Sequence, residues 1–191
     1  MDLVWTKSYG AVSVDDICQR AGVRKGSFYH FFPSKDDLVV AALEEHWRTT
    51  AAPTLDRLFS AAKTPLERLE AYFDYISHRQ EELCKKYGRV VGCPYGSIGS
   101  EAAADSAISA KAKELLRRKY RYLESTLRDL KAEGLLSKGT NVGALTQSLW
   151  TFLEGALAQG RIRNELAPTK SLPTAALQFL GIDAQVASAR N

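Results

Sequence analysis

Residues 13–43 read SVDDICQRAGVRKGSFYHFFPSKDDLVVAAL, which predicts two short helices, a tight turn and the start of a longer helix. Ser13, with Asp16 three residues later, has the pattern of a capping box at a helix N-terminus. Gly22 suits the left-handed conformation that ends many helices. Ser34 repeats the N-terminal pattern, again with an aspartate three residues later. Two short helices joined through a glycine turn predict a helix-turn-helix, which can lay its second helix in the DNA major groove.

The second short helix, residues 25–32, has two predicted faces. Phe28, Phe31 and Phe32 are spaced i, i+3, i+4, so we expect them to share a buried side. The opposite side is uncharged but rich in hydrogen-bonding groups, and Gly26 there would let a phosphate or a base edge come close. Pattern alone leaves a second interpretation open, which is an ordinary surface helix whose aromatic residues serve only for packing.

The candidate DNA-contacting residues lie on this helix and at the neighbouring helix starts. They are Ser13, Arg24, Lys25, Gly26, Ser27, Tyr29, His30 and Lys35. Lys25 and Lys35 are the candidates for phosphate contacts, because amides and dipole at a helix N-terminus already favour anions. Ser27 and His30 are the candidate base-reading residues.

The segment AGVRKGSFYHFFPSKDDL resembles the signature of the tetracycline-repressor (TetR) family of transcriptional regulators. The matching residues are Ala21, Gly22, Val23, Lys25, Gly26, Ser27, Tyr29, Phe32, Pro33, Ser34, Lys35 and Leu38. Tyr9, Gly10 and residues 13–17 extend the match upstream, and the whole covers about the first quarter of the chain. The resemblance implies an all-α protein with a three-helix, helix-turn-helix DNA-binding domain followed by a helical ligand-binding and dimerisation domain.

We place these domains at residues 1–46 and 47–191. The residues before Gly10 leave room for about two turns of a first helix, fewer than the resemblance implies. The resemblance further implies a homodimer that binds a palindromic double-stranded DNA operator, as a repressor rather than an activator. A small hydrophobic or aromatic effector would release it by shifting the linking helix, residues 35–50.

Composition and charge are those of an ordinary globular chain, with 45% hydrophobic and 25% charged residues. The net charge of +4 leans weakly towards polyanions, but residues 1–50 hold six basic and seven acidic side chains. The placement of basic residues around the turn therefore favours DNA more than their number does. No apolar run approaches the length of a membrane span and no signal peptide is evident, so we expect a cytoplasmic protein.

The remaining sequence predicts helices over residues 65–85, 107–134, Val142–Arg163 and 173–180. A glycine-dense stretch, residues 87–99, reads as a loop that enters a helix near Ser97. The two apolar helices at the C-terminus have little of the chain left to bury them. We therefore expect them to pair with a second subunit as a four-helix bundle.

The effector pocket is expected between the helix at residues 65–85, the loop at residues 90–97 and the two long helices that follow. Its candidate lining residues are Tyr72, Tyr75, Ile76, Cys93, Tyr95, Trp150 and Glu154. The aromatic rings would supply flat apolar area, and Glu154 could orient a polar or cationic group. The alternative is that these aromatic residues are simply core.

Enzymatic and metal-binding functions find no support in the sequence. His30, His46 and His78 are scattered without metal-ligand spacing, and the segment around Ser97 is one residue short of a GxSxG elbow. The three cysteines form no CxxC pair, which argues against zinc and disulfides. We expect no cofactor and no catalysis. Two alternatives to the effector-released regulator remain, a helical protein-interaction module and a regulator in which the Cys93 thiol senses electrophiles or oxidants.

Overall fold

The structure, a computed structural model, describes residues 2–3 and 7–182. The helices in it are α1 Val14–Ala21, α2 Lys25–Phe31, α3 Lys35–His46, a π-helical turn Trp47–Ala51, α4 Ala52–Leu58, α5 Pro65–Tyr87, α6 Pro94–Glu101, α7 Ala107–Ala132, α8 Val142–Arg163, α9 Ala167–Lys170 and α10 Leu172–Phe179. No strand occurs among these residues, and the predicted all-α class is confirmed. The predicted short first helix includes residues 4–6, which lie outside the described residues.

Side-chain caps mark the starts of α1, α5 and α8, among others. At α1, the Ser13 hydroxyl accepts a hydrogen bond from the Asp16 amide at 3.0 Å, and the Asp16 carboxylate accepts one from the Ser13 amide. Thr64 and Glu67 form the same reciprocal pair at α5, and the Asn141 side chain caps α8. Each cap satisfies amides that a helix N-terminus leaves without a partner. All three starts agree with the sequence prediction.

The described residues form two compact units. The first comprises Met1–Ala52 with Cys93–Arg117, and the second comprises Pro53–Gly92 with Arg118–Asn191. The first unit thus includes α6 and the beginning of α7, which come from a distant part of the sequence. The predicted functional division at residue 46 remains a prediction. Among the described helices, none combines the length and apolarity needed to cross a bilayer.

In the first unit, α3 is buried along Val39, Leu43 and Trp47, which follow one another at intervals of four residues. The Trp47 ring centroid lies 6.5 Å from that of Tyr95, which belongs to α6. Leu38, Ala41, Ala42 and Glu45 also recur at helical spacing in this segment, but Ala41 and Glu45 are exposed. Local spacing alone could not show that α6 covers this side of α3.

The linking helix does not end at Thr50 and is not broken at Pro53. A π-helical turn follows α3, and the Ala52 amide donates to the carbonyl of Trp47, five residues earlier. Pro53 is the second residue of α4. Because proline has no amide hydrogen, it cannot make the ordinary bond to the carbonyl four residues back, and a wider winding there accommodates it. Pro53 therefore lies in the first turn of α4, which follows the π-helical turn directly.

In the second unit, α5 buries the stripe expected from its sequence, from Leu66 to Leu83. After α5 the chain crosses to α6 through residues 88–93. The buried side chain of Gln80 accepts a hydrogen bond from the Gly92 amide at 3.0 Å and donates to the Gly92 carbonyl at 3.2 Å. Gly92 has φ +69°, and a Cβ there would meet the Leu157 carbonyl oxygen at 3.2 Å. The glycine is thus required for the connection to lie against α8.

The glycine-dense segment enters its helix earlier than predicted. Cys93 caps α6, Pro94 is its first residue, and the predicted entry near Ser97 is wrong. Proline suits a first helical position, because the missing amide hydrogen would have had no partner there.

Candidate nucleic-acid interface

The turn between α1 and α2 contains only Gly22, Val23 and Arg24. Gly22 lies at φ +68°, a conformation that costs glycine little. The Val23 amide donates to the Cys18 carbonyl at 3.0 Å, which closes the end of α1. This tight reversal brings the short α2 directly after α1 and gives the helix-turn-helix its shape.

A single aromatic side chain anchors α2. Phe28 is 5% exposed, and its ring contacts those of Tyr29 and Phe32 at centroid distances of 5.1 and 6.0 Å. Every other residue of α2 is exposed. The predicted exposure of Lys25, Gly26, Ser27, Tyr29 and His30 is therefore observed. A Cβ added to Gly26 would meet no atom within 4 Å, so this part of the helix is open to an approaching molecule.

The prediction that Phe31 is buried is wrong. Its side chain is 72% exposed, although the i, i+3 spacing placed it beside Phe28. The helix ends at Phe31, and Phe32 adopts an extended conformation with φ −131° and ψ 114°. The chain therefore turns Phe32 back towards Phe28 and leaves Phe31 outside. Sequence reasoning missed Phe31 as a candidate site residue because periodicity alone does not reveal a helix end to within one residue.

Charge at the start of α2 is concentrated on Arg24 and Lys25, which are both exposed. The Lys25 ammonium lies 3.0 Å from an oxygen of Asp15 on α1. This hydrogen bond raises the pKa of Lys25 above its ordinary value. The pair is solvated, and a phosphate oxygen could replace the carboxylate at little cost.

Lys35 and Ser13 have partners inside the first unit. The Lys35 ammonium donates to the carbonyls of Tyr9 and Val12 at 3.2 and 3.0 Å and lies 4.1 Å from the centroid of the Tyr9 ring. The Tyr9 hydroxyl donates to the Asp36 carboxylate, and burial followed by this bond raises the pKa of Tyr9 to about 12. The Ser13 hydroxyl takes part in the cap of α1. Lys35 thus holds residues 9–12 against the start of α3.

The seven predicted effector-binding residues are divided between the two units. Cys93 and Tyr95 belong to the first unit, whereas the other five, Tyr72, Tyr75, Ile76, Trp150 and Glu154, belong to the second. Tyr72 and Ile76 are buried on α5, and Tyr75 is half-buried. Trp150 and Glu154 lie one turn apart on α8, and both are half-buried. One oxygen of Glu154, Oε1, is buried and has no hydrogen-bond partner among the residues that the structure describes.

An aromatic row within the second unit includes residues that sequence reasoning missed. The Phe59 ring lies 5.1 Å from that of Tyr72 and 5.4 Å from that of Tyr122. The Tyr122 hydroxyl donates to Asp56 at 2.6 Å, and burial followed by this bond raises the pKa of Tyr122 to about 12. Phe59 directly follows α4, whereas Tyr72 lies on α5 and Tyr122 on α7, so no local pattern could have grouped them.

Family models match both parts of the chain. Residues 1–42 match the model described as bacterial regulatory proteins, tetR family, and residues 65–175 match the tetracyclin repressor-like C-terminal domain. The chain belongs to the TetR family. The resemblance noted in the sequence is thereby confirmed, as is the expectation that the protein is not an enzyme, since TetR-family proteins are transcriptional regulators.

Individual relatives agree with this assignment. The chain is 33% identical over 164 residues to the transcriptional regulator AcuR of Cereibacter sphaeroides, which covers 85% of this chain and 72% of that protein. It is 29% identical over 95 residues to the HTH-type transcriptional repressor NemR of Escherichia coli, covering 50% of this chain and 46% of that protein. The crystal structure of regulatory protein TetR from Rhodobacter sphaeroides superposes with a TM-score of 0.79 at 29% identity and 93% coverage of both chains. As a TetR-family member, this chain is a DNA-binding transcriptional regulator whose helix-turn-helix is formed by α1 and α2.

Proposed function

We propose that this regulator acts as a homodimeric repressor in which the two α2 helices enter the major groove at the half-sites of a palindromic operator. The observation that carries this proposal is the exposure of α2, in which Phe28 is the one buried residue of the seven. A helix that turns nearly all its side chains to solvent has surface available for a partner. The similarity to NemR, a transcriptional repressor, supports repression over activation.

The exposed residues take different roles in this proposal. Lys25, with Arg24 beside it, contacts phosphates at the N-terminus of α2. Ser27 and His30 read base edges, and Gly26 allows the DNA to approach the helix closely. The Tyr29 hydroxyl donates a hydrogen bond to the phosphate backbone of the DNA. Ser13 and Lys35 act from inside the unit, where their hydrogen bonds hold α1 and α3 in place. Lys35 is therefore proposed as a positioning residue rather than a phosphate contact.

Replacing Lys25 and Lys35 separately distinguishes these roles. The probe is a duplex enriched from a randomised DNA library by the wild-type chain. Lys25→Ala should reduce the slope of log affinity against log salt by about one for each bound subunit, because one phosphate contact is lost. Its free energy of unfolding should change by less than about 0.5 kcal/mol, since the Lys25–Asp15 pair is exposed.

Lys35→Ala should give the opposite result. Loss of two charged hydrogen bonds should lower the free energy of unfolding by about 1–2 kcal/mol in urea titrations, with the salt slope retained. Lys138→Ala, which removes an exposed lysine of the second unit, is the matched control and should change neither quantity. The assignment of roles is wrong if Lys35→Ala flattens the slope and leaves stability unchanged.

The surface of α8 supports the homodimer. One exposed stripe of this helix repeats at intervals of four and three residues and carries no charge. Its members are Ala144, Ser148, Thr151, Gly155, Ala158 and Ile162. This spacing is that of a helix seam that packs against another helix. Ile162 is 76% exposed, and a Cβ at Gly155 would meet no described atom outside the adjacent backbone of α8 within 4 Å. Small residues at such a seam allow a second helix to approach closely.

Two aromatic rings extend this surface from α8 to α10. Phe152 and Phe179 stack with centroids 5.7 Å apart and planes 15° from parallel, and Phe179 remains 43% exposed. We call the stripe together with these rings the α8–α10 surface. Gly160, by contrast, serves the subunit's own packing. A Cβ there would meet the Glu165 carbonyl oxygen at 3.1 Å.

Gly155→Arg should convert the dimer into a monomer at concentrations on the order of micromolar, as measured by sedimentation velocity. In a symmetric interface the new charge would face its own copy and would be buried without a partner. Ala132→Arg, at an exposed position of α7 outside the α8–α10 surface, is the matched control and should remain dimeric. A Gly155→Arg protein that sediments as the wild type does, or a monomeric wild type, would contradict the proposed interface.

For the effector, we propose a small aromatic molecule that carries a cationic group. The support is the buried Glu154 oxygen, which has no hydrogen-bond partner within the described part of the chain. Such a buried acceptor is costly until a donor reaches it. Trp150, one turn before Glu154, would supply a neighbouring ring. Tyr72, Tyr75 and Ile76 remain candidate contacts in the second unit, and Cys93 and Tyr95 remain candidates in the first.

The proposed effector class can be tested with small aromatic amines paired with neutral compounds of the same shape. Amines should quench the emission of Trp150, identified by comparison with Trp150→Phe, and should release the enriched duplex. Glu154→Gln should weaken amine binding about tenfold or more, because a charged hydrogen bond is lost, and should leave binding of the neutral compounds unchanged. Equal amine affinity in wild type and Glu154→Gln would rule out this role for Glu154.

The alternative in which the Cys93 thiol is the sensor has less support than non-covalent binding of an effector. Cys93 is only 6% exposed, and its sulfur accepts a weak hydrogen bond from the Gly96 amide at 3.5 Å at the start of α6. A buried thiol of this kind is a poor nucleophile towards reagents in solution. The interaction module without an effector predicts no ligand-dependent release of DNA, so the amine titration also tests it.

A further inference from the structure

Phe31 is a large apolar side chain held in water at the end of the helix that we propose to read DNA. Among the described residues, five large hydrophobic side chains are exposed, and Phe31 is 72% exposed. The Phe32 amide closes the last turn of α2 on the Phe28 carbonyl at 2.9 Å, after which the backbone becomes extended. The exposure of Phe31 therefore follows from the backbone conformation at the end of α2 rather than from the choice of side-chain rotamer.

Phe31 continues the proposed DNA-reading face of α2. It follows Ser27 by four residues, so the two side chains share a stripe along the helix. The His30 ring meets the Phe31 ring in an edge-on contact, with centroids 4.9 Å apart and planes at 81°. Two of the neighbours of Phe31 on α2 are thus the residues proposed to contact base edges. The ring is restrained by its contact with His30 without being covered.

We infer that Phe31 contacts the C5-methyl group of a thymine in each operator half-site and selects thymine over cytosine there. This inference rests on the proposed entry of α2 into the major groove. A phenyl ring has no donor or acceptor, so it cannot read the hydrogen-bond pattern of base edges. The thymine methyl is the apolar group that the major groove displays, and cytosine presents an amino group instead. The ring therefore has one chemically matching partner in that groove.

Packing of the ring against the phosphate backbone is a weaker explanation of its exposure. That contact would displace water from an anion without supplying a hydrogen bond, which is unfavourable. Burial against a thymine methyl removes apolar surface on both sides from water. The position of Phe31 beside Ser27 and His30 also places it towards base edges rather than at the basic N-terminal end of α2.

The test uses the duplex enriched by the wild-type chain, in which each thymine is replaced in turn by deoxyuridine. This replacement removes only the methyl group. At one thymine position in each half-site, deoxyuridine should raise the dissociation constant of the wild-type protein. The expected rise is about fourfold for each half-site replaced, which is the effect of one buried methyl group. Phe31→Ala should bind the thymine and deoxyuridine duplexes equally. Phe31→Leu, which keeps an apolar side chain, should retain a smaller preference for thymine.

Stability and general DNA affinity separate this role from a structural one. Phe31→Ala should melt at the wild-type temperature, because the side chain lies outside the core, and should keep the wild-type salt slope. The inference is overturned if no deoxyuridine weakens wild-type binding, or if the same weakening persists in Phe31→Ala. In either case, the proposed function would still stand, because the wild-type protein would still bind its enriched duplex specifically. A wild-type chain that enriches no duplex would overturn both.

Discussion

The burial of Phe28 is the interaction on which the DNA-binding unit depends. The helix that carries it has seven residues, and a helix of this length does not persist alone in water. Its position must therefore come from its neighbours. Gly22 sets the turn that precedes it, Phe28 fixes its inner side, and the Ser34 cap begins α3 after it. With its inner side held, the rest of α2 is free to face a partner.

The support for α2 extends through α3 to a segment far along the chain. Lys35 joins the start of α3 to the backbone of residues 9–12, so the two flanks of the helix-turn-helix are tied together. At the other end of α3, the His46 ring and the Tyr95 hydroxyl are 2.9 Å apart, and Lys111 pairs with Glu44 at 3.1 Å. The first unit is thus completed by α6 and the start of α7. A substitution in residues 93–117 can disturb the DNA-binding unit without touching the helix-turn-helix itself.

Local chemistry explains which features the sequence could predict. The caps at Ser13, Thr64 and Asn141 and the left-handed glycine at Gly22 depend on residues within one turn, and all were predicted correctly. Long apolar stripes such as that of α5 are equally local, because many turns repeat the same signal. For the candidate site, the exposure of residues 25–27 and 29–30 followed from the same reasoning.

The errors arose where a distant contact or a helix end decided the outcome. The buried side of α3 depends on Tyr95, some fifty residues later, so spacing within α3 does not reveal it. Phe31 became exposed because α2 stops one residue before the expected end. A lysine at a helix start suits a phosphate, but only the structure shows that Lys35 reaches two carbonyl oxygens of its own chain. Two compact units that interleave in sequence likewise leave no local signal.

The most direct test of the account is dimethyl sulfate footprinting of the enriched duplex, because the reagent methylates guanine N7 in the major groove and adenine N3 in the minor groove. If two α2 helices occupy the major groove of a palindromic operator, guanine N7 should be protected in two clusters. The clusters should lie on one face of the duplex with centres about 10 base pairs apart, or a multiple of that spacing. Protection confined to adenine N3, or a single cluster without a symmetric counterpart, would contradict it.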